Sequence, residues 1–127
     1  MSACYGISFV VTIKEENEQK VIETLQERIK KAKEDNVNYG IKEIPNTFKE
    51  LLEIFFVEHQ KMFNFRRVGN MWFVDSGFNA SYGWECVMLN MFKDIAPYLE
   101  NKSELTIDID NDYDYLVVKN GKAIQKH

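Results

Sequence analysis

The densest set of cation-seeking groups in the chain is Asp108-Ile109-Asp110-Asn111-Asp112-Tyr113-Asp114. Aspartates at alternate positions are how a calcium loop begins, because several carboxylates on one short loop can wrap a hard cation. The rest of such a loop is missing. Counted from Asp108, its glycine would stand at Tyr113 and its bidentate glutamate at Lys119; counted from Asp110, they would fall at Tyr115 and Gly121. The run therefore reads as a strand with Asp108 and Asp110 on its solvent face, followed by a turn flanked by Asp112 and Asp114. It still makes an acidic edge: Glu100, Glu104 and these four aspartates are offset by Lys102 alone, a local charge of −5 in a chain whose net charge is −4. Clustered carboxylates attract a cation or a basic partner surface.

Nucleophile chemistry finds less support. Asn79-Ala80-Ser81-Tyr82-Gly83 approaches the G-x-S-x-G turn that presents a hydrolase serine, but Asn79 replaces the first glycine and the series of βα units is lacking. Ser81 reads instead as a helix N-cap. Cys86 with His59 would make a thiol and base pair, yet Cys86 falls within a helix of strong apolar pattern and reads as buried packing. Cys4 and Cys86 form no C-x-x-C pair, so both are expected to be reduced small hydrophobes. No four-ligand zinc set, phosphate-cradling loop or dinucleotide fingerprint occurs. No metal or cofactor is expected.

A second candidate remains between a strand end and a helix start. Asp75, Ser76, Asn79, Ser81, Tyr82 and Trp84 combine polar and aromatic groups where free N–H donors gather, the setting of a small-ligand pocket. Turn and cap chemistry explains the same residues. Asp75, Glu85, His59 and Tyr82 are the groups a small enzyme would use as acid or base.

These groups need elements to hold them. Tyr5, Ile7, Phe9, Val11 and Ile13, a large apolar face, alternate with Cys4, Gly6, Ser8, Val10 and Thr12, a smaller one, which predicts a central strand over Ala3 to Ile13. Val21, Ile22, Leu25, Ile29 and Ala32 predict a helix from about Glu16 to Asp35, with acids first and bases last as its dipole favours. A short strand is expected over Val37 to Ile44, ended by Pro45. Asn46 or Thr47 then caps a helix reaching His59 or Gln60. Met62 to Gly69 is open to either strand or loop, and its Arg66 and Arg67 read as surface charges pairing with the acidic helices.

The stretch Met71 to Leu99 reads as a strand, a turn and an amphipathic helix that Pro97 terminates. Leu105, Ile107 and Ile109 predict a further strand, and Tyr113, Tyr115 and Val117 the next. Asn120-Gly121 is a preferred type I′ hairpin turn, leading to a short edge strand at Lys122 to Gln125.

With 127 residues, the chain suits a single globular domain over residues 1–127, since one core typically serves about 100–150 residues. A hydrophobic share of 45% and an aromatic share of 13% supply that core without a metal or disulfide staple. No apolar run approaches the ~20 residues of a membrane span and the first residues lack a signal-peptide pattern, so a cytoplasmic location with no membrane partner is expected. Net negative charge argues against gripping a nucleic-acid backbone.

The expected architecture is an α+β two-layer sandwich: a mainly antiparallel sheet of about five strands, with three helices packed chiefly on one face. The leading functional expectation is a non-catalytic protein-interaction module. It would dock a basic protein surface on the edge formed by Glu104, Asp108, Asp110, Asp112 and Asp114, acting as monomer or homodimer. The alternative is a small-ligand-binding domain at the 76–84 turn; a small enzyme comes last.

Overall fold

Ser2–Thr12 forms the central strand that its alternation predicts, here β1. The computed structural model describes residues 2–34, 43–58, 62–110 and 112–126. Among them the order continues as α1 (Glu15–Glu34), α2 (Phe48–Phe55), β2 (Met62–Val68), β3 (Met71–Ser81), α3 (Trp84–Ile95), β4 (Glu104–Ile109), β5 (Asp112–Lys119) and β6 (Lys122–Lys126). The strands make one sheet in the order β2-β3-β1-β4-β5-β6, every neighbouring pair antiparallel. With three helices packed on it, this is an α+β sandwich of six strands rather than five.

The additional strand is β2. Phe63 and Phe65 are half-buried while Met62, Asn64, Arg66 and Val68 are exposed, the alternation of an edge strand with one covered face. Gly69, at φ 60°, turns it into β3 with Val68 opposite Met71. Arg67 pairs with Glu18 of α1 at 3.1 Å, whereas Arg66 lies over the Phe73 ring, 4.8 Å from its centroid. The strand expected over Val37 to Ile44 falls on residues 37–42, outside those described, and Glu43 and Ile44 belong to no strand.

β3 and β4 lie on either side of β1, so the β3–α3–β4 connection carries α3 across the central strand. Gly83 opens that helix at φ 105°, a conformation a Cβ resists, and it replaces Ser81 as the N-cap because β3 runs on through Ser81. Pro97 stops regular helix at Ile95, and a single 3-10 turn follows at Ala96–Tyr98. Thr47 caps α2, its side chain accepting from the Glu50 N–H. That helix stops at Phe55, short of the expected His59, because Val57 turns to φ 54°.

All three helices cover one face of the sheet. Tyr5, Ile7, Phe9 and Val11 of β1 point there and are fully or nearly buried, in register with Phe78, Ser76, Val74 and Trp72 of β3. Leu105 and Ile107 of β4, then Leu116 and Val118 of β5, extend the same face. On β5 the residues Tyr113, Tyr115 and Val117, which carried the predicted alternation, therefore point the other way. Phe9 sits at the centre, with ring centroids 5.2 Å from Phe56, 6.4 Å from Phe48 and 6.2 Å from Phe92. It joins β1 to α2, the residue after α2, and α3.

Truncating a fully buried aromatic ring typically costs about 3–5 kcal/mol. Phe9→Ala is expected to lose stability of that order in urea unfolding, while Val10→Ala, on the opposite face of the same strand, loses about 1 kcal/mol or less.

Candidate functional site

Period-two geometry sends the even-numbered residues of β1 to the face that no helix among the described residues covers. Cys4, Gly6, Ser8, Val10 and Thr12 run down its middle, opposite Asn79, Gly77, Asp75, Phe73 and Met71 of β3. On the other side, Gly6 faces Asp108, Ser8 faces Thr106 and Val10 faces Glu104. Large side chains at the flanks and almost none in the middle leave an open trough of about 940 Å³. Met62 and Asn64 of β2 line one side, Thr106, Asp108 and Asp110 the other, with Gly6 and Gly77 between them.

The two glycines are directly paired across β1 and β3. Neither has a positive φ, and the register runs from Ser2–Ser81 to Thr12–Met71 without a break, so neither marks a bulge. A Cβ at Gly77 would meet Met62 at 3.5 Å, and one at Gly6 would meet Asp108 at 3.7 Å, both ordinary contacts. Glycine in a strand interior costs roughly 0.5–1 kcal/mol relative to alanine, and it is kept where a ligand or another chain approaches closely.

The trough brings together residues from both candidate segments. Asp75 and Asn79 come from the strand-to-helix stretch, Asp108 and Asp110 from the acidic edge. Tyr82 joins the two, its hydroxyl donating to Asp110 Oδ2 at 3.0 Å, and that carboxylate raises the Tyr82 phenol pKa. Among the described residues, Asp75 and Asp108 carry no hydrogen bond or ion pair through their side chains, and no described lining residue is cationic.

Other members of the two segments serve the fold. The Ser76 hydroxyl is buried on the helix side and donates to the Phe56 carbonyl at 2.6 Å. Trp84 Nε1 donates to the Phe55 carbonyl at 3.0 Å, so both residues secure the end of α2. Ser81 is exposed and its carbonyl oxygen lies 2.9 Å from the Tyr5 hydroxyl, a secondary acceptor beside Glu85 for that single proton. Glu104 lies on the open face and accepts from the Tyr115 hydroxyl at 2.7 Å, which raises that phenol's pKa. Asp112 and Asp114 stand opposite Ile109 and Ile107, on the helix side of the sheet, where Asp114 accepts from Gln125. The acidic edge is thus divided between two faces.

Both cysteines are exposed, which corrects the expectation of buried packing. Cys86 lies off the Met88, Met91, Phe92 and Ile95 stripe that α3 buries, and Cys4 is on the open side of β1. His59 and His127 lie outside the described residues. Among the described residues no three His, Cys, Asp or Glu side chains are grouped to hold a metal ion, and no helix is long and apolar enough to cross a membrane.

Below one end of the trough, the buried Tyr5 hydroxyl donates to Glu85 Oε2 at 2.6 Å. Burial, then this bond to a carboxylate, push the Tyr5 pKa up to about 12. Burial opposes the Glu85 charge, but the Tyr5 hydroxyl and the N–H groups of Glu85 and Gly83 outweigh it and hold its carboxyl below the ordinary value. Glu85 is therefore an ionised clamp between β1 and the start of α3. Comparison of the chain with protein-family models, curated proteins and solved structures finds no match.

Tyr5→Phe is expected to lower stability by roughly 1–2 kcal/mol near neutral pH. A lowered carboxyl pKa contributes stability that is whole above the ordinary 4.5 and lost as pH falls through the folded value. A raised phenol pKa contributes stability that is whole below 10.0 and lost as pH rises to about 12. The gap in urea midpoint between the wild type and Tyr5→Phe should therefore narrow at both extremes.

Proposed function

We propose that this protein is a non-catalytic protein-interaction module that receives a basic, partly apolar surface of a partner protein on the open face of its sheet. One observation carries the reading. The open face, which no helix among the described residues covers, holds the trough with Asp75, Asp108 and Asp110, and it also holds Met62, Val68, Met71, Tyr113 and Ile124, five of the six exposed large apolar side chains among the described residues.

Each half of that pattern supports a different part of the binding. Apolar side chains gathered on one exposed face favour an interface, because burying them releases ordered water. Exposed carboxylates steer a positive surface toward the face and set its register. The strand cations on this face among the described residues, Arg66 over Phe73, Lys119 on β5 and Lys122 and Lys126 on β6, lie outside the residues that line the trough. A small ligand would use the same trough, but one open along its length buries less of a ligand than the enclosed clefts typical of such sites.

The two-sided acidic edge supplies an internal control. Partners captured from the source cells are compared for the wild type, Asp75→Lys/Asp108→Lys and Asp112→Lys/Asp114→Lys, each checked for unchanged melting. The open-face reversal is expected to weaken a partner with a basic face by at least about tenfold, and the helix-side reversal to leave it within about twofold. Raising salt from about 0.05 to 0.5 M should weaken the wild-type complex. Equal binding by all three proteins would sink the proposal.

A further inference from the structure

An open sheet has two edges, and each presents backbone N–H and C=O groups to any strand that can meet them. Here the edges are β2 and β6, and among the described residues neither carries a backbone hydrogen bond to a further segment on its outer side. The two strands treat a second copy of themselves in opposite ways. The centre of β6 is Ile124, and antiparallel pairing about it sets Lys122 opposite Lys126 of the second copy at both ends. Like charges directly opposite are destabilising, and lysine commonly blunts an edge strand. β6 is closed to its own copy.

β2 is self-complementary. Its centre is Phe65, and antiparallel pairing about it sets Met62 opposite Val68 of the second copy, Asn64 opposite Arg66, Phe63 opposite Arg67, and Phe65 opposite itself. No like charges meet. Met62 and Val68, 70% and 56% exposed, each gain an apolar neighbour. Arg66 lies with its face on the Phe73 ring and makes no hydrogen bond or ion pair among the described residues, so its N–H donors can reach the Asn64 amide oxygen across the pair. Charge also selects the register. An axis at Arg66 would oppose the two Arg66 side chains, and one at Asn64 would set Met62 opposite Arg66.

We propose that the protein forms a twofold-symmetric dimer with a second copy through β2, paired edge to edge about Phe65, so that two six-stranded sheets become one of twelve strands. Directly opposed residues point to the same face. The axis is therefore perpendicular to the sheet, the helices of both copies lie on one side, and the two open faces run together with both troughs facing the same way. This inference goes beyond the docking reading and uses none of its carboxylates.

Sedimentation equilibrium of the full chain tests it. The wild type is expected to dimerise reversibly, with a dissociation constant below about 1 mM. Asn64 is exposed and pairs with Asp75 on β3, so Asn64→Lys should keep the wild-type melting temperature. It should weaken the dimer by at least about tenfold, because symmetry opposes the new lysine to Arg66 twice. Adding Arg66→Glu to that variant makes the opposed pair one of unlike charge, and should return the affinity to within about threefold of the wild type. Ile124→Lys on β6 should leave the dimer unchanged. Amide exchange in the unsubstituted chain gives an answer that needs no variant: it should slow along β2 as concentration rises and stay constant along β6. A monomer up to about 1 mM overturns the proposal. So does a dimer indifferent to Asn64→Lys, one that Arg66→Glu fails to rescue, or one that Ile124→Lys abolishes. Failure of the docking reading appears separately, as partner binding that survives charge reversal at Asp75 and Asp108 with β2 intact.

Discussion

β1 must satisfy two opposite demands with one period-two pattern. On its odd-numbered side, Tyr5, Ile7, Phe9 and Val11 have to fill the space beneath the helices; on its even-numbered side, Cys4, Gly6 and Ser8 line the open trough with small side chains. A one-residue slip of register would exchange the two faces, exposing Phe9 and burying Gly6. The Phe9 contacts with Phe48, Phe56 and Phe92 hold against that slip, because the slip would carry the Phe9 ring out of all three contacts. The trough on one side of the sheet thus depends on the core on the other.

Placing β1 between β3 and β4 also decides which distant residues become neighbours. Asp75 and Asp108 are separated by thirty-three positions and by the whole of α3, yet antiparallel pairing sets them either side of Ser8 and Gly6. Tyr82 then bridges to Asp110 where the two segments end. Glu85 fixes the start of α3 to β1 through Tyr5, so the helix that crosses the core and the strand that floors the trough are anchored together.

Several residues that invite a functional reading from their types alone do structural work. Ser76 and Trp84 look like pocket polar groups, but their side chains donate to the carbonyls of Phe56 and Phe55 at the end of α2. Asp112 and Asp114 look continuous with Asp108, but the antiparallel pairing of β4 with β5 sets them opposite Ile109 and Ile107, on the helix side. Cys86 sits among apolar neighbours in sequence, yet its helical phase faces water. In each case the decisive partner is distant in the chain.

Local patterns were sufficient for most elements. The period of β1, the charge order of α1, Thr47 before α2, Pro97 after α3 and Asn120-Gly121 before β6 are all read from neighbours, because capping, proline geometry and I′ turns act over a few residues. The alternation of Phe63 and Phe65 with a Gly-Asn turn after it was the signal for β2, weak because an edge strand buries only half of each aromatic. The acidic character of residues 104–114 and the polar turn after Asp75 were equally visible. Their meeting was not: strand order, which face the helices cover and where a glycine lies opposite a glycine are set by long-range pairing and burial. The sequence alone determined most of the strands and helices and which segments carry charge, because those signals are local; only the tertiary structure, through long-range strand pairing, brought Asp75, Gly77, Gly6 and Asp108 to one trough.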